Sequence, residues 1–239
     1  MVHGGIVIKN PFIYILDLFY PPLCPGCGNV LEDAALVVCQ ECRNSLPLTE
    51  HAVYPDNKVS GLFTDINKVE KAAAFCHYDH DTAFYRMIHA LKYYRQPQIG
   101  VWLGKEAARH LMSGNPQWFS GIDVIVPIPL HKKRLRQRRY NQSELIAEGI
   151  CKETGIAVDT RHLLRVVNNP TQTQRTTDER RANTEGIFAL RYGEELRGKH
   201  ILLVDDIVTT GSTLRSALSV LTPVRGLHVS ILTMGEAGK

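Results

Sequence analysis

Two adjacent acids and the hydroxyl-rich turn after them are the residues of this sequence best suited to chemistry. Asp205 and Asp206 follow the apolar residues 201–204, which predict a strand buried on both faces. A turn of small and hydroxylated residues comes next: Thr209, Thr210, Gly211, Ser212 and Thr213. Hydroxyls and free N–H groups at a helix start hold an anion, and two carboxylates accept hydrogen bonds from a diol, directly or through Mg²⁺. The pattern predicts a bound sugar phosphate.

A simpler explanation of this segment is a buried strand whose acid caps the following helix. That explanation accounts for one aspartate, but not for two acids and a run of small or hydroxylated residues. The segment also lacks Gly-x-x-x-x-Gly-Lys, so it is not the phosphate loop of the nucleotide triphosphatases. We therefore take Asp205 and Asp206 as the candidate catalytic residues, and the acids together with the whole turn as the candidate binding residues.

Four cysteines form two closely spaced pairs. Cys24 and Cys27 make one Cys-x-x-Cys, and after eleven residues Cys39 and Cys42 make a second. Two residues between thiols let both sulfurs of a tight turn point at one ion, so the two pairs supply four thiolates for a closed tetrahedral site. A single pair would also suit a redox disulfide, whereas two pairs at this spacing favour structural Zn²⁺.

Residues 131–139 carry six cations and no acid. Such a run indicates an anionic ligand, either a phosphate or a nucleic acid, although a solvated cationic face has the same composition. The cations are Lys132, Lys133, Arg134, Arg136, Arg138 and Arg139. They exceed what one pyrophosphate needs, so some are candidates for contacts to a DNA backbone. Tyr140, Tyr93 and Tyr94 are candidates for stacking on a base.

The composition is that of an ordinary globular protein. The 239 residues are 44% hydrophobic and 22% charged, with a net charge of +4, which excludes fibrous and wholly disordered classes. The apolar run 11–20 is too short to span a bilayer and lacks a cleavage site. We expect it to form a helix on the main body, with no stable membrane insertion and a cytoplasmic location. There, unpaired Cys76 and Cys151 are expected to be buried apolar fillers.

The elements that position these residues alternate between strands and helices. Asn141 is the predicted cap of one helix, with Glu144 completing a capping box. The order of elements predicts an α/β fold with a parallel sheet flanked by helices, whose carboxyl edge carries the acids and the basic run. Strands are predicted over residues 71–78, 123–129, 200–204 and 227–233, and helices over residues 81–94, 101–112, 141–154 and 211–221.

The chain is predicted to divide near residue 60. Residues 1–60 are rich in Cys and turn formers, which indicates a zinc-ribbon segment with an N-terminal apolar helix. Residues 61–239 contain the α/β domain. Residues 51–67 include Pro, Asp, Asn, Ser and Gly in close succession, and this composition predicts a linker between the two parts.

Residues 204–213 resemble the phosphoribosyl pyrophosphate (PRPP) loop of type I phosphoribosyltransferases, and nearly the whole chain resembles the ComF family. The family often has Gly where this chain has Arg139, so a less permissive turn is expected at that position. The segments that carry the family resemblance are the cysteine ribbon after residues 17–22, residues 91–93, residues 126–130, Asn141 with Gln142, and Arg180, Arg181 and Asn183 before Phe188.

This resemblance implies a zinc ribbon joined to a type I phosphoribosyltransferase-like domain that binds PRPP with Mg²⁺. It places residues 129–140 in the loop that holds pyrophosphate. It places residues 168–184 in a flexible loop that closes over PRPP, where Arg175, Arg180 and Arg181 meet the phosphates. A plain surface loop is the alternative for this last segment.

Three functions remain open from the sequence. The first, implied by the resemblance, is a PRPP-binding protein of natural competence that handles internalised single-stranded DNA, alongside other competence proteins. The second is an active Mg²⁺-dependent phosphoribosyltransferase that moves ribose 5-phosphate to a base or amine, although no motif identifies the acceptor. The third is a non-catalytic regulator that senses PRPP and docks a protein through its ribbon.

Overall fold

A four-stranded parallel sheet forms the centre of the protein. The computed structural model describes residues 21–33, 35–167 and 186–238. The strands are β1 (Val69–Tyr78), β2 (Val124–Pro127), β5 (His200–Val208) and β6 (His228–Ala237), in the order β1-β6-β5-β2. Two short strands, β3 (Leu163–Arg165) and β4 (Phe188–Leu190), form a separate antiparallel pair. The helix predicted within residues 11–20 and the loop predicted at 168–184 lie outside the described residues.

Helices flank this sheet on both sides. Those of the described residues are α1 (Gln40–Asn44), α2 (Ala83–Tyr93), α3 (Gln98–Gly114), α4 (Lys132–Arg138), α5 (Gln142–Thr154) and α6 (Ser212–Leu221). Single 3-10 turns are present at Ser60–Leu62 and Gly193–Leu196. In the described ranges, none of the helices combines the length and the apolar character that crossing a bilayer requires.

The sheet separates two hydrophobic clusters, because successive side chains of a strand point to opposite faces. On β5, Leu202 and Val204 pack into the cluster formed with α2, α3 and α5. Ile201 and Leu203 pack into the other cluster, with α6 and the β3–β4 pair. Every apolar position of β5 before the acids is therefore buried, which explains the unbroken apolar run.

Helices α3 and α5 approach each other at two glycines. A Cβ at Gly104 would collide with the carbonyl oxygen of Ile146, and one at Gly149 would collide with that of Val101. This close contact sets the position of α5. Its first turn then projects Ser143 toward the end of β5, where the acids lie.

The eight predicted strands and helices are all present, with shifted ends. Strand β5 continues four residues beyond its predicted end, to Val208, and so carries both acids within the strand. Residues 205–208 stay extended because β6 pairs with them, from Thr233 to Glu236. Asn141 caps α5 as predicted, and Glu144 accepts a hydrogen bond from the Asn141 side-chain amide (3.1 Å), so the capping box closes through side chains.

One sequence prediction is wrong. The basic run is not a loop, because residues 132–138 form α4, whose Lys, Arg, Leu and Gln residues favour helix and whose start is capped by His131. Residues 51–67, predicted as the linker, contain no strand or α-helix, but they pack on the α/β part because Val59 and Phe63 are buried in the α6-side cluster. A bidentate ion pair from Arg215 to Asp65 (2.9 and 2.6 Å) also ties this segment to α6.

The cysteine segment packs on the α2 side of the sheet. Its buried residues, including Cys24 and Cys42, share a cluster with Met87 of α2. The segment after the cysteines runs along the edge strand, where the Thr49 N–H donates to the Phe75 carbonyl (3.0 Å). The ribbon and the α/β part thus share one hydrophobic core, and the division near residue 60 stays a prediction.

Candidate functional site

The two acids of β5 have different surroundings. Asp205 Oδ1 accepts hydrogen bonds from Ser143 Oγ (3.1 Å) and from the Asp206 N–H (2.9 Å). Asp206 Oδ1 accepts from the Ile207 N–H (2.7 Å), and its other oxygen, Oδ2, forms an ion pair with Lys92 Nζ (3.0 Å). The two acids are equivalent by sequence pattern. In the structure, only Asp206 forms an ion pair with Lys92 of α2.

Electrostatics also distinguish the two acids. Burial above all, and then the neighbouring Asp206 charge, raise the pKa of Asp205 to about 7, against the opposing effects of the Asp206 N–H, the Lys92 charge and the Ser143 hydroxyl. A perturbed carboxylate at a strand end is typical of functional sites. At neutral pH Asp205 is therefore poised between its acid and carboxylate forms, and a nearby cation favours the carboxylate.

The turn after β5 forms a cleft at the start of α6. Gly211 has a φ of 71°, and a Cβ there would lie 3.2 Å from the Phe63 ring, so both conformation and space favour glycine. The lining residues are Asp205, Ile207, Val208, Thr209, Gly211, Ser212, Thr213 and Leu214. Thr210 is exposed and lies outside this lining, although the sequence grouped it with the others. The remaining predicted turn residues come together around one helix N-terminus, an arrangement suited to an anion.

A larger cavity of about 330 Å³ lies beside the acids, between α2 and α4. Its lining contains four cations, no carboxylate and two tyrosines: Lys92, Tyr93, Arg95, Arg134, Gln137, Arg138 and Tyr140. Burial and the neighbouring Arg138 charge lower the pKa of Arg134. A lining in which cations outnumber acids favours an anionic ligand.

Two contacts hold α2 against the basic segment. The Tyr140 hydroxyl donates to the Leu91 carbonyl (2.6 Å), and the Arg138 guanidinium lies 5.5 Å from the centre of the Tyr93 ring. Tyr140 is thus anchored through its hydroxyl, and burial raises its pKa. Tyr93 and Tyr94 are both exposed, but of these two only Tyr93 lines the cavity.

The six predicted cations of the basic run divide into two groups. Arg134 and Arg138 line the cavity, whereas Lys132, Lys133, Arg136 and Arg139 lie outside it and are exposed. Arg139 has a φ of 70°, in the region that favours glycine, as expected from the residue usual in the family. Arg175, Arg180 and Arg181 lie outside the described residues.

Three further residues at this site were not among the predicted site residues. Ser143 bonds to Asp205, Lys92 pairs with Asp206, and Arg165 of β3 stacks on the Phe188 ring at 5.4 Å. Burial lowers the pKa of Arg165, as does the Arg134 charge, while the Asp205 charge raises it. The position of Lys92 in the last turn of an amphipathic helix can be predicted from the sequence. Its pairing with Asp206 cannot, because the two residues are far apart in the chain.

The four cysteines of the N-terminal segment come together as predicted. Their sulfur atoms all lie within 4.8 Å of one another, and the Sγ atoms of Cys27 and Cys39 are 3.7 Å apart. Tetrahedral zinc with Zn–S bonds of 2.3 Å places its sulfurs about 3.8 Å apart. The Cys39 N–H donates to Cys24 Sγ and the Cys42 N–H to Cys39 Sγ, both at 3.4 Å, as suits metal-bound thiolates. The donor set therefore fits a structural zinc.

The thiols of the cluster differ in acidity. Burial raises the pKa of Cys24, but backbone N–H groups, of Cys39 above all, outweigh burial and lower the value to about 7. Burial and the neighbouring thiols raise the pKa of Cys42. Thiols this close cannot all ionise without a compensating positive charge, which a zinc ion supplies.

Known protein families match two parts of the chain. The phosphoribosyl transferase domain matches residues 152–236, which include β5, the two acids and the turn after them. The double zinc ribbon domain matches residues 15–53, which include the four cysteines. The helices around the cationic cavity, α2 and α4, lie between the two matched stretches.

Curated proteins of similar sequence extend the comparison. The DNA utilization protein YhgH of Salmonella typhimurium is 30% identical over 200 residues, covering 83% of this chain and 77% of that protein. Competence protein F of Haemophilus influenzae is 32% identical over 41% of this chain and 44% of its own length. Competence protein ComFC of Bacillus subtilis is 37% identical over 39% of this chain and 36% of its own length. The chain thus spans less than half of the two competence proteins.

Solved structures overlap more loosely. An adenine phosphoribosyltransferase has a TM-score of 0.37 at 17% identity, over 59% of this chain and 72% of that chain. The glutamine PRPP amidotransferase of Bacillus subtilis has a TM-score of 0.38 at 20% identity, over 59% of this chain and 30% of that chain. Overlaps of this size carry no inference about function.

The parallel sheet, the diacid turn and the cysteine cluster define a phosphoribosyltransferase-type domain with an N-terminal zinc ribbon. The match to the Salmonella protein spans both parts. The chain belongs to the ComF family, as the sequence resemblance implied.

We expect Cys24→Ser to lose zinc and to lower the free energy of unfolding by several kcal/mol, because three thiolates no longer close the site. Metal analysis should find one zinc per wild-type chain, and hydrogen exchange should show loosening of the ribbon and α2, with protection kept around α6. Cys151→Ser is the matched control. Because Cys151 lies outside the cluster, this variant should bind zinc like wild type. Full zinc occupancy in C24S would contradict the assignment.

We expect Asp205→Asn to stabilise the protein above neutral pH. The native pKa of about 7 exceeds the unfolded value near 3.8, so the native state holds more protons between these values and its stability falls as pH rises. In Asp205→Asn this loss does not occur, so the free energy of unfolding above pH 7 should exceed that of wild type by up to ~4 kcal/mol. Thermal unfolding of wild type and D205N from pH 4 to 8 measures this difference. Asp56→Asn, at an exposed aspartate, is the control. Parallel curves for wild type and D205N would contradict the raised pKa.

Proposed function

We propose that this protein binds PRPP with Mg²⁺ at the carboxyl end of β5 and binds single-stranded DNA at the adjoining cationic cavity. The observation that carries the proposal is the junction of two unlike sites. A hydroxyl-lined turn with a diacid meets a cavity that holds four cations and two tyrosines. One side chain, Lys92, belongs to both, since it lines the cavity and pairs with Asp206.

Each part of PRPP has matching chemistry at this edge of the sheet. The turn from Thr209 to Thr213 and the first N–H groups of α6 suit the 5′-phosphate. Asp205 and Asp206 suit the ribose hydroxyls and the hard Mg²⁺ ion, which prefers carboxylate oxygen. Arg134, with Arg165 close enough to affect its charge balance, suits the pyrophosphate. Bound Mg²⁺ would neutralise phosphate charge.

The cavity has the chemistry of a single-strand binding surface. Arginines there suit backbone phosphates, and the exposed Tyr93 ring offers a face to a base. Tyr93 continues a row of rings along α2, with His89 at 4.6 Å and Tyr85 a further 6.3 Å away. Relatives named for DNA utilization and competence support this ligand. We therefore propose a role in handling internalised single strands in the cytoplasm, alongside other competence proteins.

Transfer of ribose 5-phosphate is a second candidate activity, favoured by the cations that adjoin the diacid. In such a transfer the bond from ribose C1 to a pyrophosphate oxygen breaks, and its electron pair leaves with pyrophosphate. An acceptor nitrogen bonds to C1 and releases its proton. Arginines that bind the leaving pyrophosphate stabilise its developing charge. Arg134 and Arg138 are in a position to do so if the acceptor enters from α2.

Calorimetric titration of PRPP with Mg²⁺ tests the first part of the proposal. Wild type should bind, and the double variant Asp205→Asn, Asp206→Asn should bind at least about a hundredfold more weakly, because two charge-assisted contacts are lost. Exposed Asp56→Asn should bind like wild type. PRPP consumed with a base, amine or DNA acceptor would establish the transferase, whereas binding without turnover would favour the non-catalytic role. Equal binding by wild type and the double variant would refute the site.

Fluorescence anisotropy with an oligothymidylate tests the DNA part. Arg138→Gln should weaken binding about tenfold, since it removes both a cavity cation and the partner of the Tyr93 ring. Arg136→Gln removes the same charge from the same helix but outside the cavity, and should cost much less. Equal losses in both variants would show that diffuse charge, not the cavity, binds the strand.

A further inference from the structure

Six aromatic rings form a continuous row from the end of β1 along α2. The centres of neighbouring rings lie between 4.6 and 6.3 Å apart, which is the range of direct aromatic contact. Three of the rings, those of Tyr85, His89 and Tyr93, are four residues apart and therefore lie on one side of the helix. The members of this aromatic row are Tyr78, His80, Tyr85, His89, Tyr93 and Tyr94.

The aromatic row is separate from the packing that fixes α2 on the sheet. The buried residues of α2 are a different set: Phe84, Met87, Ile88, Ala90 and Leu91. In the row, Tyr93 and Tyr94 are more than half exposed, and Tyr85 and His89 are half-buried. The row thus offers ring surface to a ligand, beyond what the packing of α2 requires.

The aromatic row meets the cationic cavity at one end only. Of its rings, that of Tyr93 lines the cavity, and the others continue from there toward the end of β1. A base stacked on Tyr85 or His89 therefore needs none of the arginines that line the cavity. Those arginines stay available to the pyrophosphate.

Two arginines add positive charge beside the aromatic row. The Arg138 guanidinium lies 5.5 Å from the centre of the Tyr93 ring, at one end. Arg86 is an exposed residue of α2, and its guanidinium donates to the carbonyls of Gly26 and Asp81. Carbonyl oxygens carry no formal charge, so these contacts leave the charge of Arg86 available to a polyanion.

Two acids lie at the opposite end of the row. Asp79 and Asp81 are exposed on either side of His80, and they repel a phosphate backbone there. The ligand that fits has a chain of negative charges near the arginines and flat rings with open faces along α2. Single-stranded nucleic acid has this composition, whereas a duplex covers the faces of its bases.

We propose that the aromatic row is the surface on which single-stranded DNA stacks its bases, from Tyr93 toward Tyr85. This inference rests on the proposed function, which it deepens by assigning bases to α2 and backbone phosphates to the flanking arginines. Every base has a π-face, so the row accepts any sequence. The contribution of the row comes from stacking, so it can be measured separately from that of the charges.

Fluorescence anisotropy of the full chain with two probes of equal length tests the inference. One probe is an oligothymidylate, and the other is an abasic oligodeoxynucleotide, which has the same phosphates but no bases. Wild type should bind the oligothymidylate at least about tenfold more tightly. His89→Leu interrupts the row, so it should weaken oligothymidylate binding about tenfold and leave abasic binding unchanged. His89→Phe keeps a ring at this position and should bind both probes like wild type.

Tyr54→Leu is the matched control, because Tyr54 is 58% exposed and is not a member of the row. It should bind both probes like wild type. A structural role of His89 would weaken both probes in H89L, and a role of the imidazole itself would weaken the oligothymidylate equally in H89F; either result would overturn the inference. Equal binding of both probes by wild type would also overturn it, with charge-based DNA binding left standing. Wild type that binds neither probe would overturn the proposed DNA function and this inference together.

Discussion

Two carboxylates on adjacent residues of a buried strand repel each other, and the arrangement of the site follows from that repulsion. Asp205 and Asp206 cannot both keep their charge at low cost unless cations or donors lie close to them. The structure supplies a hydroxyl from α5, backbone N–H groups within β5 and one ammonium from α2. These groups come from α2, α5 and β5, which are separate stretches of the chain. The two carboxylates are therefore stabilised only once the protein has folded.

The zinc ribbon supports the same site from a distance. The first cysteine turn lies against α2, where the Arg86 side chain donates to the Gly26 carbonyl and a Cβ at Gly26 would meet Met87 at 2.8 Å. Helix α2 ends in the turn that carries Lys92. A ribbon closed by a metal ion would therefore stabilise α2, and with it the position of Lys92 beside Asp206.

Much of the fold and part of the site could be predicted from the sequence. The apolar run before Asp205, the apolar residues three and four apart in the helix predicted over residues 81–94, and the two cysteine pairs are local patterns, and each indicated its element correctly. The loop prediction for the basic run is wrong, because its Lys, Arg, Leu and Gln residues strongly favour helix. The burial of Val59 and Phe63 within residues 51–67 could not be predicted, because polar turn formers outnumber these two residues in the segment.

The sequence by itself determined which groups are available: a diacid, a hydroxyl-rich turn, four thiols and a surplus of arginines. These follow from residue type and short-range spacing, which secondary structure preserves. Only the tertiary structure decided that Lys92 pairs with Asp206, that Ser143 bonds to Asp205, and that Arg134 and Arg138 line the cavity while Arg136 does not. Such pairings join residues far apart in the chain, and they depend on how α2, α4 and α5 pack on the sheet, which no local pattern encodes.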